Sequence, residues 1–237
     1  MIIRFKFSRR GPVRYLGHLD MMRYFQKVVM KAGVSARYSE GFHPHQLMSF
    51  AYPLGVGMET DGDYMDLEME DGNDPETVMD ELNAVMNEGV KISAAVALKD
   101  NAENAMAAVS AATYELIIDC GAPEEGRKVI KAAVSEMLAS DTIMAETKKS
   151  SKNIRPGIFA LDIEPEENVN DQIKISMFLS SGSKLNVRPA DLFDTLLTMP
   201  SVAGSGLSFR LSLLRRLEIF GLTEDGRNVP LDHADVL

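Results

Sequence analysis

The stretch IIRFKFSRRGPVRYLGHLDMMRYFQKVVMKAG, Ile2 to Gly33, decides the reading of the fold. Its first residues alternate: Ile3, Phe5 and Phe7 fall on one side of an extended chain, Arg4 and Lys6 on the other. Period two is the signature of a half-buried strand. Ser8 to Gly17 is rich in turn formers. From His18 to Lys31 the period changes. Leu19, Met22, Phe25 and Val29 recur at helical spacing, and Gly33 sits where a C-terminal cap belongs. Arg23, Lys27 and Lys31 are four residues apart and line one helix face. Asp20 suits the dipole at the helix start.

Working outward, Leu47–Tyr52 and Asp63–Glu70 read as strands, Asn73–Asn87 as a helix with Pro75 in its first turn, and Val90–Leu98 as a strand. Strand, helix, two or three strands, helix, strand is the split βαβ, ferredoxin-like order. Lys99–Val109 is a connector or short helix. The order then recurs: strand Ala112–Asp119, helix Pro123–Ala139, strands Thr142–Thr147, Gly157–Ile163 and Ile173–Leu179, helix Pro189–Met199, and a long strand Leu207–Phe220. The expectation is an α+β chain of two tandem ferredoxin-like halves with antiparallel sheets. Residues 1–100 form the first half, 110–222 the second, and 223–237 a polar tail that packs loosely.

Composition narrows the function. A 45% hydrophobic share among 237 residues supplies a real core. There is no apolar run of about 18 residues, so no membrane span is expected. The charged N-terminus, MIIRFKFSRRG, does not read as a signal peptide. The single cysteine, Cys120, cannot form an internal disulfide or an all-cysteine metal cluster. These features point to the cytoplasm. The net charge of −10 argues against a general nucleic-acid binder and gives no reason to expect DNA, but it is unevenly spread. Met1 to Met48 holds nine Lys/Arg against Asp20 and Glu40, whereas Glu59 to Asp119 holds sixteen Asp/Glu against Lys91 and Lys99. For a polyanion the local patch outweighs the total.

Candidate chemistry concentrates in YSEGFHPHQLMSFAYPLGVG, Tyr38 to Gly57. His43 and His45 flank Pro44, Gly41 shapes the loop before them, and an apolar run follows. With His18 and Asp20 these imidazoles offer acid–base or phosphate chemistry near neutral pH. His18 and His45 are the candidate catalytic groups, and a loop or capping role is the competing reading. The spacing is not that of a metal motif, and no metal is assigned. A second basic run, KKSSKNIRPG, carries Lys148, Lys149, Lys152 and Arg155. Such a loop grips phosphates without reading bases, or is a solvated hairpin tip. Arg9, Arg10 and Arg14 form a third basic group. The chain holds no dinucleotide fingerprint, phosphate-binding P-loop, nucleophile elbow or HExxH.

The block RYLGHLDMMR at Arg14–Arg23, YSEGFHPH at Tyr38–His45, MSFA at Met48–Ala51, Pro53-Leu54, Val56-Gly57 and GDYMD at Gly62–Asp66 resembles the bacterial radical SAM-linked protein family, a domain of unknown function. NIRP at Asn153–Pro156, VRP at Val187–Pro189 and RRLEIF at Arg215–Phe220 extend the resemblance over most of the chain. In that family position 43 is often asparagine, while His18 and His45 match. The resemblance implies a companion of a radical SAM protein, encoded beside it or fused to it, with the cluster held by the partner and no cofactor in this chain. The arrangement also resembles, more faintly, tandem ferredoxin-like RNA-binding proteins, and fold analogy alone does not transfer function.

The leading expectation is a non-catalytic accessory domain that binds RNA or an RNA-borne substrate for a radical SAM partner, in RNA modification or translation-related metabolism. His18, Arg23, Gly41, His43, His45, Lys148, Lys149, Lys152, Arg155 and Arg188 are the expected contacts. The alternatives are an RNA-processing or hydrolytic enzyme using His18 or His45 as acid–base, and a pure protein-interaction module.

Overall fold

A computed structural model describes residues 1–100, 102–146, 151–165, 172–182 and 185–237. In chain order the elements are β1 (Ile2–Arg9), α1 (His18–Ala32), β2 (Met48–Phe50), β3 (Glu59–Glu68), α2 (Pro75–Val85), β4 (Val90–Ala97), α3 (Ala105–Ala108), β5 (Val109–Cys120) and α4 (Pro123–Ala139). There follow β6 (Met144–Glu146), β7 (Ser151–Asn153), β8 (Ile158–Ile163), β9 (Gln172–Ser180), α5 (Pro189–Leu197), α6 (Pro200–Ala203), β10 (Phe209–Leu222) and β11 (Asn228–Pro230). The fold is α+β with antiparallel strand pairing. Among the described residues no helix is long and apolar enough to cross a membrane. The chain forms two compact units, Met1–Ser110 with Arg216–Leu237, and Ala111–Arg215.

In the first unit β1 pairs with β3 on one side and β4 on the other, so that Phe5 lies opposite both Met65 and Ala95. β2 pairs with β3, opposing Phe50 to Met65. The strand order β4-β1-β3-β2 follows, with the C-terminal part of β10 also beside β3. The alternation of β1 works as read: Ile3, Phe5 and Phe7 bury against Met21, Phe25, Val28 and Val29 of α1 and Val78 and Leu82 of α2. Phe7 meets Phe25 edge to face at 4.8 Å, and Phe25 meets Phe50 at 5.6 Å. Each such side chain contributes about 1.5–3 kcal/mol by leaving water. Gly33 ends α1 with a left-handed φ of 73°, and the Asp74 carboxylate starts α2 by accepting from Thr77 N at 2.9 Å.

The opposite face of β1 departs from the sequence reading. Arg4 was expected to face water; it is fully buried. The reason is a second apolar layer of Ala51, Tyr64, Ala105, Val109, Ile219 and Leu231. The segment 223–237, expected to pack loosely, supplies part of this cover. β11 pairs with β10, matching Phe220 to Pro230, and Leu231 is fully buried. Polar composition concealed one strand and one anchoring leucine.

In the second unit the order is β10-β5-β9-β8. β5 faces β9 with Leu116 opposite Ile175, and β9 faces β8 with Met177 opposite Leu161. Helix α4 spans Pro123–Ala139 as the sequence reading has it. It sits close on the sheet because Gly126 has no side chain; a Cβ there would lie 2.7 Å from Cys120 Sγ. The strand expected at Thr142–Thr147 starts later, at Met144, and pairs with β7, a strand the sequence reading missed, in a separate two-stranded sheet.

Candidate functional site

Residues 37–47 double back on themselves. Leu47 N donates to Arg37 O at 2.9 Å and Ser39 N to His45 O at 2.8 Å, with Tyr38 bridged to Gln46. Gly41, at φ 112°, makes the reversal, a backbone angle open to glycine at no steric cost. His45 is tied into this loop: its Nδ1 lies 2.8 Å from Ser39 Oγ, which also accepts from His45 N at 3.1 Å. Its ring therefore fixes the hairpin base. Gln46 is buried and donates to Gln26 O of α1 at 3.3 Å, which holds the hairpin against that helix. The tip stands out in water. Phe42 is fully exposed, at 101% relative accessibility, and Glu40, His43 and Pro44 beside it are exposed as well.

Helix α1, to which Gln46 ties this hairpin, carries the expected cationic row. Arg23, Lys27 and Lys31 are all exposed. Arg23 pairs with Asp20 at 3.2 Å; among the described residues Lys27 and Lys31 have no ion pair. Arg37, exposed at the hairpin base, lies 3.8 Å from Glu70. His18 opens the helix, half-buried, with its ring edge-on to Phe50 at 5.6 Å. Gly41, His43 and His45 lie in the hairpin, and Arg23 lies on the helix to which Gln46 ties it. His18 packs at the start of the same helix.

The basic group Arg9, Arg10 and Arg14, read as surface, divides. Arg10 is exposed and paired with Asp61 at 2.7 Å. Arg9 is buried, donating to the carbonyls of Arg14 and Met58. It joins a charged cluster that sequence reading missed. Arg216, also buried, pairs with Asp63 at 2.9 Å, donates to Tyr52 O at 3.0 Å and stacks on the Tyr52 ring. The Nε atoms of both arginines are buried and have no hydrogen-bond partner among the described residues. Burial pushes the Asp63 carboxyl above the usual carboxylate range even beside Arg216 and Arg9, and burial lowers the Arg9 guanidinium. Nearby, the Tyr64 hydroxyl donates to Glu218 and Asp232 at 2.7 and 3.0 Å, and Lys6 pairs with Glu218. Burial and then these carboxylates push the Tyr64 phenol far up, so it stays a hydrogen-bond donor. The GDYMD motif for Asp63 and Tyr64 and the RRLEIF motif for Arg216 and Glu218 were the sequence signals for these residues.

The second unit holds the remaining candidates. Lys148 and Lys149 lie outside the described residues. Lys152 is exposed in β7. Arg155 is engaged within its own unit. Its guanidinium donates to Ser140 O and Leu138 O, both at 3.1 Å, satisfying carbonyls at the C-terminus of α4, and to Ile158 O of β8 at 3.4 Å. Arg188 is exposed and forms a two-pronged pair with Asp191 at 2.7 and 2.6 Å. Among the described residues no group of three His, Cys, Asp or Glu side chains is placed to hold a metal ion.

A model of the family described as "Uncharacterized protein conserved in bacteria (DUF2344)" matches residues 3–189. The chain belongs to that family. The DUF2344 match contains every candidate residue above, from His18 to Arg188, and all of the hairpin. No curated protein matches the chain. Among solved structures, it is similar to a chain of a Cbf5-Nop10-Gar1 complex at 10% identity and a TM-score of 0.48, covering 91% of this chain and 49% of that one. This chain thus spans about half of that solved chain. It is also similar to a "putative glycine cleavage system transcriptional repressor" at 11% identity and a TM-score of 0.23, covering 91% and 96%. Both scores fall below 0.5, so neither bears on function.

Proposed function

We propose that this chain is a non-catalytic, cytoplasmic accessory domain that binds RNA, or a substrate carried on RNA, for a radical SAM protein. One observation carries the RNA part: an exposed cationic row runs along α1, the helix to which Gln46 ties a hairpin with an aromatic ring out in water. Cations that meet phosphates and a ring that meets a base are the two halves of single-strand recognition. The partner part is supported by the resemblance of Arg14–Arg23, Tyr38–His45 and Gly62–Asp66 to the radical SAM-linked family. It is also supported by Cys120, which alone cannot hold a cluster. On the same reading each unit is a ferredoxin-like half. The orders β4-β1-β3-β2 and β10-β5-β9-β8 support this: counting β1–β4 in the first unit and β5, β8, β9 and β10 in the second, each puts the first strand between the fourth and the third.

The test is copurification. The tagged chain, taken from its native cell at low salt, is expected to bring down a radical SAM protein and RNA that ribonuclease removes. Recovery of neither overturns the proposal. A second reading, a protein-interaction module without RNA, is favoured by Tyr15, Leu19 and Val56, which are all exposed in the first unit. It predicts that the partner is recovered undiminished after ribonuclease and that no RNA is present.

A further inference from the structure

We infer that the outer edge of β4 accepts an extended, basic segment of a partner polypeptide as an added strand. β4 pairs with β1 and has no strand beyond it among the described residues. Leu98 N donates to Ile2 O at 2.9 Å, so Leu98 turns its amide toward β1. Successive residues of a paired strand turn their N–H and C=O to opposite sides. Those of Ala95 and Ala97 therefore point away from β1, and among the described residues no group bonds them. Exposed edges are normally blunted by a cover, a bulge, a charge or a proline. β4 has such devices at its start. The Asn83 side chain of α2 binds Ile92 as a neighbouring strand would, accepting from its N at 2.9 Å and donating to its O at 3.0 Å. The register with β1 also shifts there, Phe7 pairing with Ile92 and Lys6 with Ala94. The run that follows, Ala94 to Leu98, has neither charge nor proline, and its small side chains let another backbone approach.

The edge selects its occupant. Donors and acceptors alternate along it, which matches the backbone of an extended polypeptide. Each outward amide is accompanied by a carbonyl that repels a phosphate, so RNA is not the fit. Charge selects further. Asp80 lies one turn before Asn83 on α2, on the helix row that reaches the edge. Glu76, Asp80 and Glu81 are exposed on α2, which holds no cation. The lysines that bracket the run lie toward the other face: Lys99 reaches Ala234 O at 3.3 Å, and Lys91 alternates with the buried Ile92. A second copy paired antiparallel would bring its own α2 to the same face, acid against acid, and each copy carries a net charge of −10. A basic segment of a different polypeptide meets neither objection.

The probe is a labelled peptide of alternating lysine and valine, titrated into the full chain at low salt by anisotropy, with amide hydrogen exchange followed by NMR. We expect it to bind and to slow exchange at Ala95 and Ala97 more than at Leu98, whose amide is already bonded to Ile2. The same peptide with glutamate for lysine should bind about tenfold more weakly or worse. Ala97→Pro removes an outward N–H, leaves the ladder to β1 intact and should abolish binding. Ala97→Lys keeps every backbone group and should weaken binding by about tenfold, through the charge that natural edges use. Binding unchanged in both variants, or no slowing at Ala95 and Ala97, overturns the inference. So does a wild-type dimer that Ala97→Lys dissolves, which makes a second copy the occupant. Slowing of these amides by oligouridylate makes the occupant RNA and also overturns it. None of these outcomes involves Lys27 or Lys31, so the RNA reading stands or falls separately.

Discussion

Arg216 and Asp63 form an ion pair at 2.9 Å that is almost wholly withdrawn from water, their side chains exposed by 1% and 8%. Arg216→Met leaves the carboxylate buried and unpaired, at an expected cost of about 3–5 kcal/mol at pH 7. The pH dependence carries a sign. Asp63 is raised above its unfolded value, so the folded chain binds more protons there than the unfolded one. That contribution to stability falls as pH rises through the interval above the unfolded carboxylate value of about 3.9. Removing Arg216 raises the carboxyl further. Urea unfolding of Arg216→Met against wild type is therefore expected to show a loss that shrinks as pH falls toward 4. A loss independent of pH means that Asp63 is not its origin.

Arg4 binds both oxygens of Asp66 at 2.8 and 3.1 Å, and also the carbonyls of Leu231 and Glu103 at 3.1 and 2.9 Å. Lysine cannot reproduce this fork. Arg4→Lys is expected to lose about 1.5–3 kcal/mol. It should also speed hydrogen exchange at Leu231 N, which donates to Ile219 O at 3.3 Å, more than in the helices. Unchanged exchange there contradicts a tie between β1 and the closing segment.

Gly62 and Gly41 separate contact from conformation. A Cβ on Gly62 would lie 2.6 Å from Leu217 O and 3.0 Å from Glu218 Cα, both backbone. Gly62→Ala should stand at the upper end of the roughly 1–3 kcal/mol cost of overpacking. Gly41 has open space around it but a φ of 112°. Gly41→Ala should cost about 1–2 kcal/mol, confined to the hairpin. Thermal unfolding ranks the two, and the reverse ranking contradicts this account.

Arg155 caps the C-terminus of α4 through Leu138 O and Ser140 O and also binds Ile158 O at the start of β8. Arg155→Ala should lower stability by about 1–3 kcal/mol by leaving those groups unsatisfied. At a temperature where both chains are folded, RNA affinity should stay within twofold of wild type. A large loss of affinity without loss of stability assigns Arg155 to phosphate binding instead.

Much of the fold was legible because period and punctuation agreed. The alternation of Ile3, Phe5 and Phe7 and the helical recurrence of Phe25 and Val29 led to β1 and α1. Pro123 and Pro189 marked the starts of α4 and α5. β7 and β11, at three residues each, were too short and polar to show a period. The charges misled for a physical reason. Arg4, Arg9 and Arg216 look in sequence like any surface arginine; their partners Asp66 and Asp63, or the carbonyls they hold, are brought to them only by strand pairing. At the candidate site the histidines drew attention, while the exposed Phe42 between them and Gly41 did not, because exposure cannot be read from an isolated aromatic residue.

The central claim is that the exposed cations of the first unit bind single-stranded RNA. Its most direct test is the slope of log affinity against log salt for the wild type and for Lys27→Ala/Lys31→Ala. A negative slope is expected for the wild type, shallower by about 1.4 in the variant, from about 0.7 per phosphate contact. An affinity that does not change with salt, or a slope the two lysines do not alter, contradicts it.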